Sequence, residues 1–257
     1  MPVVWITGAS SGIGAALAEA WAAPGVTLLL SGRREDALAA VAARCAAKGA
    51  AAHPLAFEAT DLDRLPAVVD RAISLAGPID TLVNNAGVSQ RSLAVDTDLA
   101  TYRRIMEIDW LAPVALTRLL LPHMIARRSG SIVQIASVAG KVGVPLRTGY
   151  CAAKHALIGY SDALRAEVAR HNVRVQVVIP GFVRTGIARN ALRAGEQPTD
   201  GPDPVDSGMD PAEAARQILS GIQRGHPEIT VSGPRERAAL LLRRLWPALL
   251  SRQIALK

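Results

Sequence analysis

Cysteine, aromatic residues and long uncharged apolar stretches are all scarce in this 257-residue chain. Its two cysteines, Cys45 and Cys151, are too few for a disulfide framework or a cysteine zinc site, and they fit a reducing, cytoplasmic compartment. Aromatic residues make up only 4% of the chain, so we expect a core of alanine and aliphatic side chains. No run of about 18 uncharged apolar residues occurs, which predicts no membrane-spanning helix. The five histidines show no ligand spacing, so we expect no metal site.

The formal net charge of +7 is concentrated at the C-terminal end. Residues 234–257 hold six basic residues and one acidic residue, so this tail carries +5 of the total. The remainder is nearly balanced and lacks a nucleic-acid recognition motif, so we expect no nucleic-acid partner. Five apolar residues share one helical side of the tail, which Pro247 interrupts: Ala238, Leu241, Leu242, Leu245 and Leu249. Two readings stay open, a helix that contacts a membrane surface peripherally and a helix docked on the body or on a partner subunit.

Short apolar runs alternate with longer stretches rich in alanine, leucine and charged residues. The short runs predict strands at Val3–Thr7, Val26–Ser31, Ala52–Phe57, Thr81–Asn84, Ser131–Ala136, Val173–Ile179 and Ile229–Val231. The longer stretches predict helices at Gly12–Ala23, Glu35–Lys48, Asp63–Ala76, Leu99–Arg127, Gly149–His171 and Pro211–Gln223. Continuous apolar strands that alternate with helices indicate a parallel sheet covered on both faces. We therefore expect one α/β domain over residues 1–233, with no signal peptide before its first strand.

One segment is unusually rich in glycine and proline. Between Arg184 and Met209 the chain contains seven of these residues. Long irregular segments in compact domains are commonly functional lids. We expect a substrate lid at about 182–209, with a surface loop of no function as the alternative.

A glycine-rich turn joins the first predicted strand to the first helix. Glycines allow a tight turn and a close approach of a pyrophosphate, whose charge is favoured at a helix N-terminus. The predicted phosphate-binding residues are Gly8, Ser10, Ser11, Gly12, Ile13 and Gly14. The order strand, turn, helix and strand makes this motif more specific than a glycine cluster alone.

The second strand ends without the acidic residue that usually binds a ribose 2′-hydroxyl. Arg33 and Arg34 follow Gly32 instead. Arginine at this point suits a 2′-phosphate, so we predict NADP(H) in preference to NAD(H). Because Glu35 and Asp36 follow directly, a solvated helix start is the alternative interpretation.

Tyr150 and Lys154 are four residues apart in a predicted helix and therefore share one face. Tyrosine has an ordinary pKa of about 10, and lowering it by about 3 units requires roughly 4 kcal/mol. A cation about 4 Å away at an effective dielectric near 20 supplies about that amount. We expect Lys154 to be that cation, Tyr150 to exchange protons, and Ser137, at the end of the fifth strand, to donate to a carbonyl oxygen.

With these motifs the chain resembles the short-chain dehydrogenase/reductase family from Val3 to about Thr230. The matching residues are Thr7-Gly8-x-x-x-Gly12-x-Gly14, Asn84-Asn85-Ala86-Gly87, Ser137, Tyr150-x-x-x-Lys154 and Pro180-Gly181 with Thr185. The resemblance implies a single Rossmann-type doubly wound parallel sheet of seven strands in the order 3-2-1-4-5-6-7. It also implies an NAD(P)-dependent enzyme and a homodimer or homotetramer. Further cofactor-binding residues that it implies are Glu58, Ala59, Asn85, Ala86, Gly87, Tyr150, Lys154, Pro180, Gly181, Val183 and Thr185.

The resemblance also shows two departures. The family's fourth catalytic residue, an asparagine whose main-chain carbonyl holds a water, falls on Asp109. The carbonyl survives this change but the side chain loses its donor, so we expect activity to be kept. The second departure is Glu58-Ala59, where the family usually has Asp-Val near the adenine. Glutamate can accept the same hydrogen bond from a longer arm.

The substrate side is mainly apolar. Candidate substrate contacts are Val88, Gln90, Val138, Val144 and Leu146. The segment Gly149–Leu157 is similar to the family's dehydrogenase/reductase subgroup that acts on lipophilic carbonyls. We expect a lipophilic ketone, aldehyde or secondary alcohol, with a β-ketoacyl or sugar-type reductase and a catalytically impaired cofactor-binding regulator as alternatives.

Overall fold

The computed structural model describes residues 2–192 and 207–255 of the chain. Within these ranges, seven parallel strands form one sheet in the order β3-β2-β1-β4-β5-β6-β7. The strands are β1 (Val3–Thr7), β2 (Thr27–Gly32), β3 (Ala51–Ala56), β4 (Thr81–Asn84), β5 (Gly130–Ile135), β6 (Val173–Pro180) and β7 (Glu228–Val231). The predicted fold and strand order are confirmed.

Helices connect the strands and cover both faces of the sheet. They are α1 (Gly12–Trp21), α2 (Glu35–Ala46), α3 (Leu65–Ala76), α4 (Leu99–Met106), α5 (Ala112–Arg127), α6 (Thr148–Val168), α7 (Pro211–Gln223), α8 (Pro234–Leu245) and α9 (Pro247–Ile254). Short 3-10 turns occupy Leu62–Arg64, Val138–Gly140 and Ala169–His171. The single helix predicted over Leu99–Arg127 is instead divided into α4, a π-helical turn at Glu107–Leu111, and α5. Pro113 falls in the first turn of α5, where a missing N–H costs little.

Consecutive residues of the central strands are buried on opposite faces. Val4 and Ile6 of β1 pack in the cluster beneath α1, α2 and α7, whereas Trp5 packs in the cluster beneath α3, α5 and α6. Full burial of one such side chain is worth about 1.5–3 kcal/mol, so both layers of helices are held by the same strands. Because the strands are parallel, their carboxyl ends meet at one edge of the sheet, where sites of open α/β folds form.

One helical stretch among the described residues, Leu99–Arg127, is long and apolar enough to cross a bilayer by length and composition alone. Charged residues interrupt its apolar run, which is why the uncharged-run criterion did not predict it. Leu116, Leu120 and Met124 of this stretch are buried against the sheet. The apolar composition of this stretch is therefore explained by its packing against the sheet.

The basic tail forms two helices that pack on the body. Leu250 of α9 is 4% exposed and clusters with Val142, Leu157 and Ile179. Pro247, expected to interrupt the tail, lies in the first turn of α9. Of the five apolar residues predicted to share one side, only Leu242 packs against this cluster, while Leu241, Leu245 and Leu249 are exposed.

Candidate active site

The glycine-rich turn has a backbone that only glycine adopts without strain. Gly8 and Gly12 have φ values of +64° and +57°. A Cβ at Gly14 would collide with the Gly8 carbonyl oxygen, and one at Gly12 would lie 3.1 Å from Thr185 Cγ2. Thr185 is therefore brought beside the turn.

The amide groups of the first turn of α1, which include those of Gly12 and Ile13, are available for an anion. The N-cap residue Ser11 makes no side-chain hydrogen bond, and the first turn contains no acidic residue. Uncapped N–H groups at a helix N-terminus favour a phosphate. The turn thus fits the pyrophosphate of a dinucleotide.

The segment after β4 is tied to this turn. Asn85 Nδ2 donates to the Thr7 and Gly8 carbonyl oxygens at 2.9 and 3.2 Å. Thr7 Oγ1 accepts from the backbone N–H groups of Asn85 and Ala86 at 3.0 and 3.1 Å. Residues 85–87 therefore lie against the glycine-rich turn. Thr7 is the first residue of the glycine-rich motif, but the sequence did not predict that its hydroxyl joins the turn to the segment after β4.

The residues predicted for the 2′-phosphate, Arg33 and Arg34, lie beside the glycine-rich turn and the loop after β3. Arg34 Nη2 donates to Ser10 Oγ at 3.4 Å. Arg33 Nη1 lies 3.9 Å from Glu58 Oε2, and Arg104 Nη2 lies 3.7 Å from the same oxygen. Arg104, on α4, was not predicted, because no sequence spacing links it to β2. Ala59 follows Glu58 in the loop after β3.

Tyr150 and Lys154 are buried side by side on α6, with 7% and 4% of their surfaces exposed. Lys154 Nζ donates to the Ile135 carbonyl oxygen at 3.0 Å and lies 5.7 Å from the centre of the Tyr150 ring. Ser137 follows β5 and accepts the Ala139 N–H at 3.1 Å through its Oγ. The three residues thus converge at the carboxyl edge of β5, as the sequence predicts.

Burial raises the pKa of Tyr150, while Lys154 opposes this shift. Asp109 also raises the pKa of Tyr150, whereas hydrogen bonding with Ser137 and the charge of Arg147 lower it. The expected lowering by Lys154 is therefore real but is outweighed by the loss of hydration in this protein without cofactor.

Asp109 lies in the π-helical turn between α4 and α5 and is completely buried. Its Oδ1 accepts the Val88 N–H at 2.8 Å, and its Oδ2 lies 3.5 Å from Lys154 Nζ. Burial raises the pKa of Asp109, and Lys154 and the Val88 N–H oppose this shift. The residue at the family's asparagine position therefore joins the site through its carboxylate.

One of the candidate substrate residues packs against Tyr150. Val144 packs with Ala139 and Tyr150. Val138 is buried in the 3-10 turn that follows Ser137. Leu146 lies in the same connection with a φ of +66°, a conformation that bulky residues rarely adopt. Val88 is half-buried, and its N–H is bound by Asp109.

Gln90 makes contacts that the sequence did not predict. Its side chain is fully buried, and its Oε1 accepts the Gly149 N–H at 2.7 Å. Its Nε2 donates to Ser92 Oγ at 3.2 Å and Thr97 Oγ1 at 3.0 Å. These bonds connect the loop after β4 to the start of α6, so the Gln90 amide is engaged in holding the two segments together.

Both described ends of the predicted lid are anchored at the site. Val183 forms an isolated bridge with Met209, and Leu192 forms one with Gln90. Glu236 of α8 accepts the Phe182 N–H at 3.1 Å, next to Pro180 and Gly181 at the end of β6. The sequence did not predict this contact of the tail. Residues 193–206 of the lid lie outside the described residues. No cluster suited to a metal ion occurs in the ranges that the structure covers.

A family model described as short chain dehydrogenase matches residues 2–195. The human dehydrogenase/reductase SDR family member 7 is 40% identical over 250 residues, which cover 95% of this chain and 73% of the human protein. The bovine dehydrogenase/reductase SDR family member 7B is 36% identical over 260 residues, with coverages of 98% and 80%.

Solved structures agree with these relatives. A short chain dehydrogenase/reductase from Burkholderia phymatum in complex with NAD has a TM-score of 0.86 at 26% identity, covering 96% of this chain and 94% of its own. A short-chain dehydrogenase from Sphingobium yanoikuyae in complex with NADPH has a TM-score of 0.78 at 29% identity, with coverages of 100% and 97%. The chain therefore belongs to the short-chain dehydrogenase/reductase family and is an NAD(P)-dependent oxidoreductase.

Proposed function

We propose that this short-chain dehydrogenase/reductase uses NADP(H) to interconvert a lipophilic ketone or aldehyde with its alcohol, with Tyr150 as general acid and base. The observation that carries the proposal is the convergence of Tyr150, Lys154 and Ser137 beside a glycine cradle at one edge of the sheet. Buried lysines are rare, and the one at Lys154 is held beside the phenol of Tyr150. Ionisable groups placed together in this way are typical of catalytic sites, which supports a chemical role for Lys154.

The cofactor would be held by groups of this chain. The N–H groups of Ser11, Gly12 and Ile13 would bind the pyrophosphate, and Arg34 beside Ser10 would bind a 2′-phosphate. The segments 85–87 and 180–185 would line the nicotinamide half. When bound, the nicotinamide supplies or accepts the hydride.

The proton is handled by the protein. In the reductive direction Tyr150 donates its phenolic proton to the carbonyl oxygen, which the Ser137 hydroxyl also approaches as a donor. The ammonium of Lys154 then stabilises the phenolate that remains, since an opposite charge nearby favours an ionised group. The oxidative direction reverses these transfers.

The walls next to Tyr150 support an apolar substrate. Val138 and Val144 lie in the connection between Ser137 and Tyr150, and Val144 packs against the tyrosine. No charged side chain of this connection besides Lys141 and Arg147 is present in the sequence. Arg147 stacks over Phe182 at 6.0 Å, so its charge is directed to the lid.

The test is oxidation of NADPH against a panel of carbonyl compounds. The panel contains lipophilic ketones and aldehydes, β-ketoacyl thioesters and sugar-type carbonyls. We expect the lipophilic compounds to give the highest kcat/KM, and Tyr150→Phe to remove turnover while NADPH still binds. Turnover that survives Tyr150→Phe contradicts the mechanism, and a preference for small charged carbonyls contradicts the substrate class.

We also propose that the tail contacts an anionic lipid surface. The face that α8 and α9 turn away from the body exposes Leu241, Leu245, Trp246 and Leu249, which we call the tail face. Arginines accompany this face at 237, 243, 244 and 252. Apolar side chains flanked by arginines suit the boundary of an anionic bilayer, whereas two copies of a tail that carries +5 repel each other.

Vesicle flotation tests the lipid contact. The protein should float with vesicles that contain phosphatidylserine and not with neutral ones, and salt should weaken binding. Leu245→Ser with Leu249→Ser should reduce flotation, while Leu75→Ser, at an equally exposed leucine of α3, should not. Equal flotation of both variants rejects the tail face as the contact.

The oligomeric state and location follow as further parts of the proposal. We propose a cytoplasmic homodimer or homotetramer, as the family resemblance implies. Light scattering of the purified protein measures the first and cell fractionation the second. A monomer across the working concentration range contradicts the assembly.

A further inference from the structure

Asp109 occupies a place in the site that its main chain alone does not explain. The π-helical turn Glu107–Leu111 inserts extra backbone between α4 and α5, and such turns frequently occur at functional sites. The turn directs the Asp109 carboxylate between the Val88 N–H, at 2.8 Å, and the Lys154 ammonium, at 3.5 Å. A Cβ at Gly87 would lie 3.3 Å from Asp109 Oδ1 and 3.5 Å from Lys154 Nζ, so this glycine leaves room for the pair.

Both charges of this pair are withdrawn from water. The Asp109 side chain is 0% exposed and that of Lys154 is 5% exposed. Asp109 Oδ2 accepts no hydrogen bond from the described residues, so the ammonium is its compensating group. A buried charge requires a partner, and an asparagine at this position would supply a dipole in place of a full negative charge.

We propose that Asp109 is a positioning residue whose carboxylate neutralises part of the Lys154 charge and thereby moves the working pH range of Tyr150 upward. The inference rests on the proposed function, because it concerns the same tyrosine. Three charged groups act on this phenol, Lys154 on its own helix, Asp109 on the π-helical turn and Arg147 before α6, and the Ser137 hydroxyl after β5 hydrogen-bonds with it. Lys154 lowers the pKa of Tyr150, whereas Asp109 raises it.

The decisive variant is Asp109→Asn, which has the same shape and keeps an oxygen for the Val88 N–H. Asp109 Oδ2 lies 3.5 Å from Lys154 Nζ, which lies 5.7 Å from the centre of the Tyr150 ring, so the carboxylate is within about 9 Å of that ring. At such a distance a unit charge at an effective dielectric near 20 changes a pKa by roughly 1 unit. Alcohol oxidation needs deprotonated Tyr150 as the base, so we expect the acidic limb of kcat/KM for this reaction to move down by about 0.5–2 pH units. Glu107→Gln is the matched control, because Glu107 lies on the same turn but is exposed and pairs with Arg104.

A second readout does not require turnover. The ultraviolet tyrosinate absorbance of the protein without cofactor, minus that of Tyr150→Phe, isolates the titration of Tyr150 among three tyrosines. In Asp109→Asn this signal should begin at lower pH than in the wild type. If Asp109→Asn does not fold, Asp109→Ser, which also removes the charge and keeps an acceptor, must show the same shift.

The results separate this inference from the function proposed above. An unshifted tyrosinate titration in a folded charge-removing variant overturns the role of Asp109, whether or not any carbonyl is turned over. Absence of turnover in the wild type overturns the proposed function but leaves the titration as a valid test. Equal shifts in Asp109→Asn and Glu107→Gln assign the effect to general surface charge and also overturn the proposal.

Discussion

Adjacent leucines of α9 have opposite environments, which predicts opposite phenotypes. Leu250 is 4% exposed and fills the cluster that contains Val142, Leu157 and Ile179, whereas Leu249 is 46% exposed on the tail face. We consider Leu250→Ala and Leu249→Ala, two changes of the same size at consecutive positions of one helix.

The expected destabilisation follows from burial. Removing a buried leucine costs about 2–5 kcal/mol through lost transfer energy and the remaining cavity, and a peripheral site relaxes more than a central one. We therefore expect Leu250→Ala to lower the free energy of unfolding by about 2–3 kcal/mol. For a domain of this size each kcal/mol shifts Tm by about 2–4 °C, so Tm should fall by about 4–12 °C. Leu249→Ala should cost less than about 1 kcal/mol, since half of its surface is already in water.

Thermal unfolding and vesicle flotation together make the assay. Leu250→Ala should lower Tm and, below its Tm, still bind anionic vesicles. Leu249→Ala should leave Tm nearly unchanged and weaken flotation. Equal Tm values for the two variants would refute the reasoning that α9 is held to the body by Leu250, and equal flotation would refute the assignment of Leu249 to the lipid contact.

The cofactor site provides two further predictions. Arg34→Ala should weaken NADPH binding by about 10- to 150-fold, since a charge-assisted hydrogen bond is worth about 1.5–3 kcal/mol, and should leave NADH binding nearly unchanged. Titration of cofactor fluorescence measures both affinities, and Arg44→Ala is the control because Arg44 pairs with Glu19. Equal losses for both cofactors would argue against 2′-phosphate recognition. Gly14→Ala should abolish binding of either cofactor, because the added methyl group would overlap the Gly8 carbonyl oxygen. Wild-type affinity in isothermal titration calorimetry would disprove the close packing of this turn.

Local patterns were sufficient to predict most of the fold. The central strands are short apolar runs buried on both faces, so hydrophobic runs and turn residues define them without tertiary information. The break of Leu99–Arg127 at Glu107–Leu111 was not located, because no glycine marks it. Pro113 and Pro122, which by themselves suggest a kink or a break, lie in the first turn and in the interior of α5.

The site was predicted where a spacing or a motif carries the chemistry, as for Tyr150 and Lys154. It was missed where function depends on contacts between distant segments. The clamp made by Gln90 joins residues 59 positions apart, and the bond from Phe182 to Glu236 spans 54 positions. The opposing effect of burial on the pKa of Tyr150 was also not anticipated, because hydration lost on burial depends on the whole packing and not on the neighbouring lysine alone.

The bonds between Asn85 and the turn at Thr7 and Gly8 have a consequence for how the protein is made. They join residues 77 or 78 positions apart, and they form only where β1 and β4 lie side by side. An emerging chain that ends before residue 85 lacks the amide that holds the turn, even though all its glycines are already present. The geometry of the dinucleotide-binding turn is therefore a long-range property, and a nascent chain should acquire it only after the fourth strand and Asn85 leave the ribosome.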